Sequence, residues 1–273
     1  MPRSRSDLAR QLRGHVELLA AGGMREVGLS PEARKMSPKP RPKKSAAAKP
    51  GAVPAKNASA VGFKPVIVSS VALEELQDFD SEPSRALQPV AEEVRVCGKC
   101  KLCESRTQTV FGTGDPRSPL MVIGEAPGGD EDVKGKPFVG RAGKLLTDII
   151  EKGMKYKREH VYIANVLKCR PPGNRNPEPE EIEACRSYLE RQIEIIQPKV
   201  ILAVGLFPAQ WMTGKKIAIG KLRGQVHEVN GRKVICTYHP AYVLRNYTVE
   251  TRKKVHEDVL LAVELLGPGP LVS

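Results

Sequence analysis

The chain has 273 residues, enough for one large domain or a smaller domain with appendages. Forty-four Lys and Arg against 31 Asp and Glu leave a formal charge of +13, which attracts a polyanion through counterion release but carries no specificity by itself. No stretch reaches the ~20 apolar residues of a membrane span, and the basic N-terminus lacks the apolar core of a secretory signal, so a cytoplasmic or nucleoid-associated protein without membrane contact is expected.

Residues 1–60 carry 13 basic and 4 acidic residues and include a Pro-, Lys- and Ala-rich run, Ser37 to Pro54. Such composition buries too little apolar surface to fold, so 1–60 reads as a mostly disordered basic extension. Within it, Leu8, Leu12, Val16 and Leu19 fall on one face of a possible short helix over 7–21. The extension is open to two readings, a solvated tail or an arm for DNA or for a repair or replication protein. Residues 61–96 reverse the sign, with 3 basic and 7 acidic residues, and 61–90 is assigned to an acidic linker.

Residues 91–267 form the expected domain, and 268–273 a short tail. Strand-like runs at Leu120, Val161, Val200 and Val234 alternate with helical patterns at 143–152, 178–196, 207–213 and 251–266. That alternation predicts an α/β fold with a parallel sheet covered on both faces. Pro177 and Pro179 stand where a helix start tolerates proline, Glu180 and Glu181 suit its positive end, and Gly267-Pro268-Gly269-Pro270 stops the last helix.

All six cysteines fall in this domain. Cys97 and Cys100 form a C-x2-C pair, Cys103 follows, and 15 residues separate Cys169 from Cys185. In a reducing compartment, soft thiolates in this arrangement point to zinc or an iron-sulfur cluster, against the alternative of idle thiols. Cys236, inside an apolar run, is assigned to the core, and Cys103 is the ambiguous fifth thiol.

Polar loops follow three of the apolar runs: Gly124-Glu125-Ala126-Pro127-Gly128, Asn165, and His239-Pro240-Ala241. Residues just beyond parallel strand ends converge on one crevice, which would bring together a carboxylate, an amide and an imidazole. Neither glycine-rich segment, 124–132 or 135–141, supplies the Lys-Ser/Thr end of a P-loop or a dinucleotide fingerprint. Glu125 and Glu131 are instead candidates to position water or offset a sugar cation, or simply to cap backbone N–H groups. With Phe138 to stack on a flat ring, the set matches what holds a flipped base. His160, His227 and His256 lack such company and receive no role.

These residues resemble the family 4 uracil-DNA glycosylases, the iron-sulfur branch of their superfamily. The resemblance rests on Cys97-Gly-Lys-Cys, Val110-Phe-Gly-Thr-Gly, Gly124-Glu-Ala-Pro-Gly, Gly135-Lys-Pro-Phe-Val-Gly-Arg-Ala-Gly, Asn165-Val-Leu-Lys-Cys-Arg-Pro-Pro and His239-Pro-Ala-Tyr-Val-Leu-Arg-Asn. It runs from about Cys97 to Leu266 and gives nothing to the first ~90 residues. It implies a three-layer α/β/α sandwich around a four-stranded parallel sheet, with a 4Fe-4S cluster on Cys97, Cys100, Cys169 and Cys185 that fixes DNA-contacting loops. The implied activity is hydrolysis of the N-glycosidic bond of deoxyuridine in single- or double-stranded DNA, leaving an abasic site; the protein itself is expected to be a monomer.

The resemblance also implies roles. Phe138 stacks on the flipped ring, the amide of Asn165 reads its N3 and O4 edge, and Ala126 belongs to the uracil-binding loop. His239 donates to uracil O2, and Glu125, with Glu131 competing, positions the water or stabilises the sugar. Arg245 contacts DNA, and Leu244 is either a wedge into the vacated stack or the first apolar anchor of the following helix. Arg170 to Ala184 contains no histidine, so turnover is expected in place of the covalent trapping of one superfamily variant. The rival readings are a DNA-binding accessory factor with a degenerate pocket and a zinc-stabilised nucleotide-binding module.

Overall fold

The computed structural model describes residues 81–266. The extension over 1–60 with its 7–21 helix, linker residues 61–80 and the 268–273 tail lie outside the described residues.

The sheet has five strands, β1 Leu120–Gly124, β2 Tyr162–Asn165, β3 Val200–Val204, β4 Val226–Val229 and β5 Arg232–Thr237, in the order β2-β1-β3-β5-β4. The four expected parallel strands are present, and the correction is a fifth, β4, antiparallel to β5 at the edge. The two meet at Asn230-Gly231, both with positive φ (50° and 75°), the conformation of a two-residue hairpin turn. β4 alternates exposed Val226 and Glu228 with buried His227, as befits a half-solvated edge.

β1 and β3 are buried at every residue because both sheet faces are covered. Met121, Ile123, Ile201, Ala203, Val234 and Cys236 point into one core with Leu189 and Ile193 of α4 (Pro179–Ile196). Leu120, Val122, Val200, Leu202 and Ile235 point into the other, with Leu146 of α3 (Arg141–Asp148) and Val255 and Val259 of α8 (Val249–Leu266). The result is the three-layer α/β/α sandwich, and Cys236 is core as expected. The remaining helices are α1 Glu82–Arg95, α2 Gly129–Lys134, α5 Leu206–Thr213, α6 Ile219–Leu222 and α7 Pro240–Arg245. After α3 the chain widens into a π turn, Ile149–Gly153, which extends the predicted 143–152 segment.

The linker assigned to 61–90 is too long. Its last residues form the first turns of α1, which Ser81 caps by accepting from Ser84 N at 3.3 Å. The acidic composition hid a helical spacing, Leu87, Val90 and Val94, that is at most 1% exposed and packs in the α4-side core. We expect Leu87→Ala to destabilise the domain by about 2–5 kcal/mol, read as a lower denaturation midpoint; an unchanged midpoint would place residues 82–90 outside the cooperative unit.

Candidate active site and thiol cavity

The C-terminal ends of four strands build one crevice. Parallel pairing sets Gly124 opposite Asn165, and Gly205, just after β3, donates its N–H to Thr237 O at 2.9 Å beside the His239 loop. Gly124 has no room for a side chain: a Cβ there would lie 2.3 Å from Asn165 Oδ1 and 2.5 Å from Phe138 Cζ. The Phe138 ring therefore reaches the Asn165 amide on one side, while its centroid stands 5.7 Å from that of His239, with 30° between the planes.

Asn165 is 2% exposed, and its Oδ1 is buried without a hydrogen-bond partner among the described residues. Buried acceptors are nearly always paired, so this oxygen is free to accept from an N–H donor. The backbone of Asn165 is by contrast held: its carbonyl accepts from Lys168 Nζ at 2.9 Å, and Lys168 also donates to Gln192 Oε1 at 2.6 Å. Gln192 in turn donates to Phe111 O and Tyr162 Oη.

His239 caps α7. Its Nδ1 accepts from Ala241 N at 3.1 Å, which leaves the imidazole proton on Nε2. Burial, helped by the charge of Arg245, pulls its pKa down to about 4, so the ring is neutral at physiological pH. Desolvation raises the carboxyl of Glu125 above its ordinary range.

The two glutamates occupy different settings. Glu131 Oε1 accepts from Val139 N at 2.9 Å and Gly140 N at 3.0 Å, while Oε2 accepts from Gly128 N at 3.0 Å. It ties the 124–128 loop to the segment carrying Phe138, the capping behaviour weighed for it from the sequence. Ala126 packs against the cluster of Leu102, Leu167, Cys169 and Cys185. On α7, Val243 is buried whereas Leu244 is 41% exposed; the apolar anchor is Val243. Arg245 is exposed beside it, as are Tyr242 and Tyr247.

On the α4 side, Cys97, Cys100, Cys103, Cys169 and Cys185 are free thiols around a single cavity also lined by Arg106, Lys168 and Tyr188. Arg106 Nη1 donates to Cys169 Sγ at 3.2 Å. Burial pushes the Cys169 thiol up to about 12 against the pull of Arg106. It also lowers Lys168 to about 7, with Cys185 and Cys169 opposing. Among the described residues, no three or more His, Cys, Asp or Glu gather at a point that would hold a lone metal ion; the thiols ring a space instead. Soft thiol donors from three segments, with the Arg106 guanidinium beside them, are of the chemistry that holds zinc or an iron-sulfur cluster.

Sequence reasoning passed over Lys168, Gln192, Arg106 and Arg158. For Lys168 a signal existed, a lone lysine inside the continuously buried run from Val161 to Cys169, where a charge needs a partner.

The family model described as the uracil DNA glycosylase superfamily matches residues 111–260, and the chain belongs to that family. Among its relatives is the type-4 uracil-DNA glycosylase of Thermotoga maritima, 48% identical over 176 residues that cover 63% of this chain and 91% of the relative. The type-4 enzyme of Archaeoglobus fulgidus is 45% identical over 190 residues, covering 67% of this chain and 94% of the relative. A type-5 uracil-DNA glycosylase of Pyrobaculum aerophilum is 31% identical over 165 residues, 52% of this chain and 71% of the relative. Among the described residues no helix is long and apolar enough to cross a membrane.

Proposed function

We propose that this chain excises uracil from DNA, hydrolysing the N1–C1′ bond of deoxyuridine as a monofunctional glycosylase and so opening base excision repair. The carrying observation is the unpartnered, buried Oδ1 of Asn165 beside an aromatic ring and a neutral imidazole. Uracil extruded from the stack presents an N3–H for that oxygen and an O4 for the amide nitrogen. Cytosine presents the reverse pattern and leaves both groups of the amide mismatched, a costly arrangement in a buried site. Phe138 stacks on the ring.

As the glycosidic bond stretches, negative charge grows on uracil O2 and positive charge on the sugar. The Nε2–H of His239, fixed in tautomer by Ala241 N, is the preorganised donor to O2. Glu125 is the carboxylate that orients water or offsets the sugar cation, and Glu131 holds the loops that frame it. Water supplies hydroxyl to C1′, and the proton it loses balances the uracil anion that departs. Leu244 fills the vacated stack with Arg245 on the adjacent phosphates.

Cys97, Cys100, Cys169 and Cys185 would hold a 4Fe-4S cluster, whose contribution when bound is to lock the 97–106 and 166–170 segments together. Ligation displaces their thiol protons, and Arg106 and Lys168 offset the resulting negative charge.

The test is incubation of the protein with end-labelled oligonucleotides carrying one uracil, single-stranded or opposite G or A, then hot alkali and a denaturing gel. Alkali-dependent cleavage at uracil is expected, from a brown protein containing iron and inorganic sulfide in equal amounts. Cluster-loaded protein that leaves every substrate intact would overturn the reading in favour of a DNA-binding accessory factor. A colourless protein with bound zinc would overturn the cluster.

A further inference from the structure

Phe138 has a φ of 55°, a left-handed conformation unusual for an aromatic residue. Such a backbone persists only where the surroundings over-determine it, and here they do so from three directions. Arg158 Nη2 donates to Pro137 O and to Phe138 O, each at 3.1 Å. Just downstream, Glu131 receives the N–H groups of Val139 and Gly140. Beneath lies α3, where Gly143 comes so close that a Cβ would stand 1.8 Å from Phe138 O.

Glu131 and Gly143 lie within seven residues of Phe138 along the chain, but Arg158 comes from the turn before β2. Its guanidinium is anchored in turn: Nη1 donates to Thr147 Oγ1 at 3.0 Å, and Thr147 Oγ1 donates to Gly143 O at 3.1 Å. The backbone N of Arg158 donates to Glu151 Oε1 at 3.4 Å, in the π turn after α3. Arg158 is half-buried, so its hydrogen bonds compete with little water. A planar fork that engages two successive carbonyls and a hydroxyl is a geometry lysine does not reproduce.

We propose that Arg158 is a positioning residue for uracil binding, holding Phe138 in its left-handed conformation so that the ring meets both Asn165 and His239. The inference rests on the reading of Phe138 as the stacking platform. Arg158 itself touches neither the base nor the sugar. It adds a tie between the approach to β2 and the stacking loop, while Asn165 terminates the same strand, so the two uracil contacts share one framework.

A double-mutant cycle separates this from general stabilisation. Arg158→Lys in the wild-type background is expected to lower uracil excision about tenfold and to weaken inhibition by free uracil to a similar degree. In a Phe138→Ala background the same substitution is expected to change excision less than about twofold, because the platform it positions is already gone. Thr147→Val, which removes the anchor of the guanidinium, should move in the same direction more weakly and show the same dependence on Phe138; it also serves if Arg158→Lys does not fold. Thermal unfolding of each variant fixes the temperature at which all are compared folded. Equal losses in both backgrounds would overturn the clamp. A Phe138→Ala protein with wild-type excision would instead overturn the stacking reading on which the clamp depends.

Discussion

Asn165→Asp lowers uracil excision by roughly 10³-fold while leaving the fold in place. The native amide is 2% exposed with its Oδ1 unpartnered, and it can offer uracil one acceptor and one donor. Aspartate keeps the volume and an acceptor for N3–H, but its second oxygen faces uracil O4 without a proton to donate. A buried charge then sits beside the ring on which negative charge develops. Discrimination of 10⁴–10⁵ is typical where a site is built around a matched hydrogen bond; the smaller loss here allows for retention of the N3–H contact. Single-turnover rates on a uracil oligonucleotide, with circular dichroism as the folding control, measure the effect. A variant that excises uracil at the wild-type rate removes Asn165 from the site and with it the observation on which the substrate reading stands.

Much of this arrangement was legible in the sequence because period and punctuation were strong where the site is. Apolar runs ending in Gly124, Asn165 and the residues before His239 placed a carboxylate, an amide and an imidazole at strand ends, and parallel pairing brings those ends together. The C-x2-C pair and the two distant cysteines do face one cavity. Helix α1 escaped because its apolar positions, Leu87, Val90 and Val94, lie in an acidic stretch, and average composition is blind to a face. Strand β4 lacks the continuous apolar run of the other four because one of its faces is exposed, and its sign in the sequence is the turn Val229-Asn230-Gly231-Arg232. The roles of Glu125 and Glu131 could not be parted at all, since both are acidic residues of one loop region. Only the positions of the Gly128, Val139 and Gly140 N–H groups, a matter of tertiary geometry, engage Glu131 as a clamp. Arg158 was invisible for the same reason: nothing in Lys157-Arg158-Glu159 announces that its guanidinium reaches the carbonyl of Phe138.

His239→Ala is expected to slow excision by about 10²–10³-fold, the usual loss when one preorganised donor to a developing oxyanion is removed. The pH dependence carries more information than the loss itself. With the histidine pKa lowered to about 4 by burial and by Arg245, the donor is a neutral Nε2–H throughout the physiological range, and its ionisation sets no limb of the profile near 6.5. The acid limb belongs to Glu125, whose desolvated carboxyl is raised: excision falls as pH drops through that raised value, and Glu125→Gln flattens the limb at a lower plateau. The same lowered histidine pKa has a stability consequence of definite sign. Because the unfolded chain binds this proton more tightly, the stability gained by burying a neutral ring is complete above the ordinary histidine value of 6.5. It is lost progressively as pH falls toward about 4, and the Ala variant lacks that acid sensitivity. Rate profiles and denaturation midpoints from pH 4 to 8 for wild type, His239→Ala and Glu125→Gln decide the matter. An acid limb near 6.5 that vanishes only in His239→Ala would mean that the imidazole titrates in the working range, and the assignment of a neutral donor would fall.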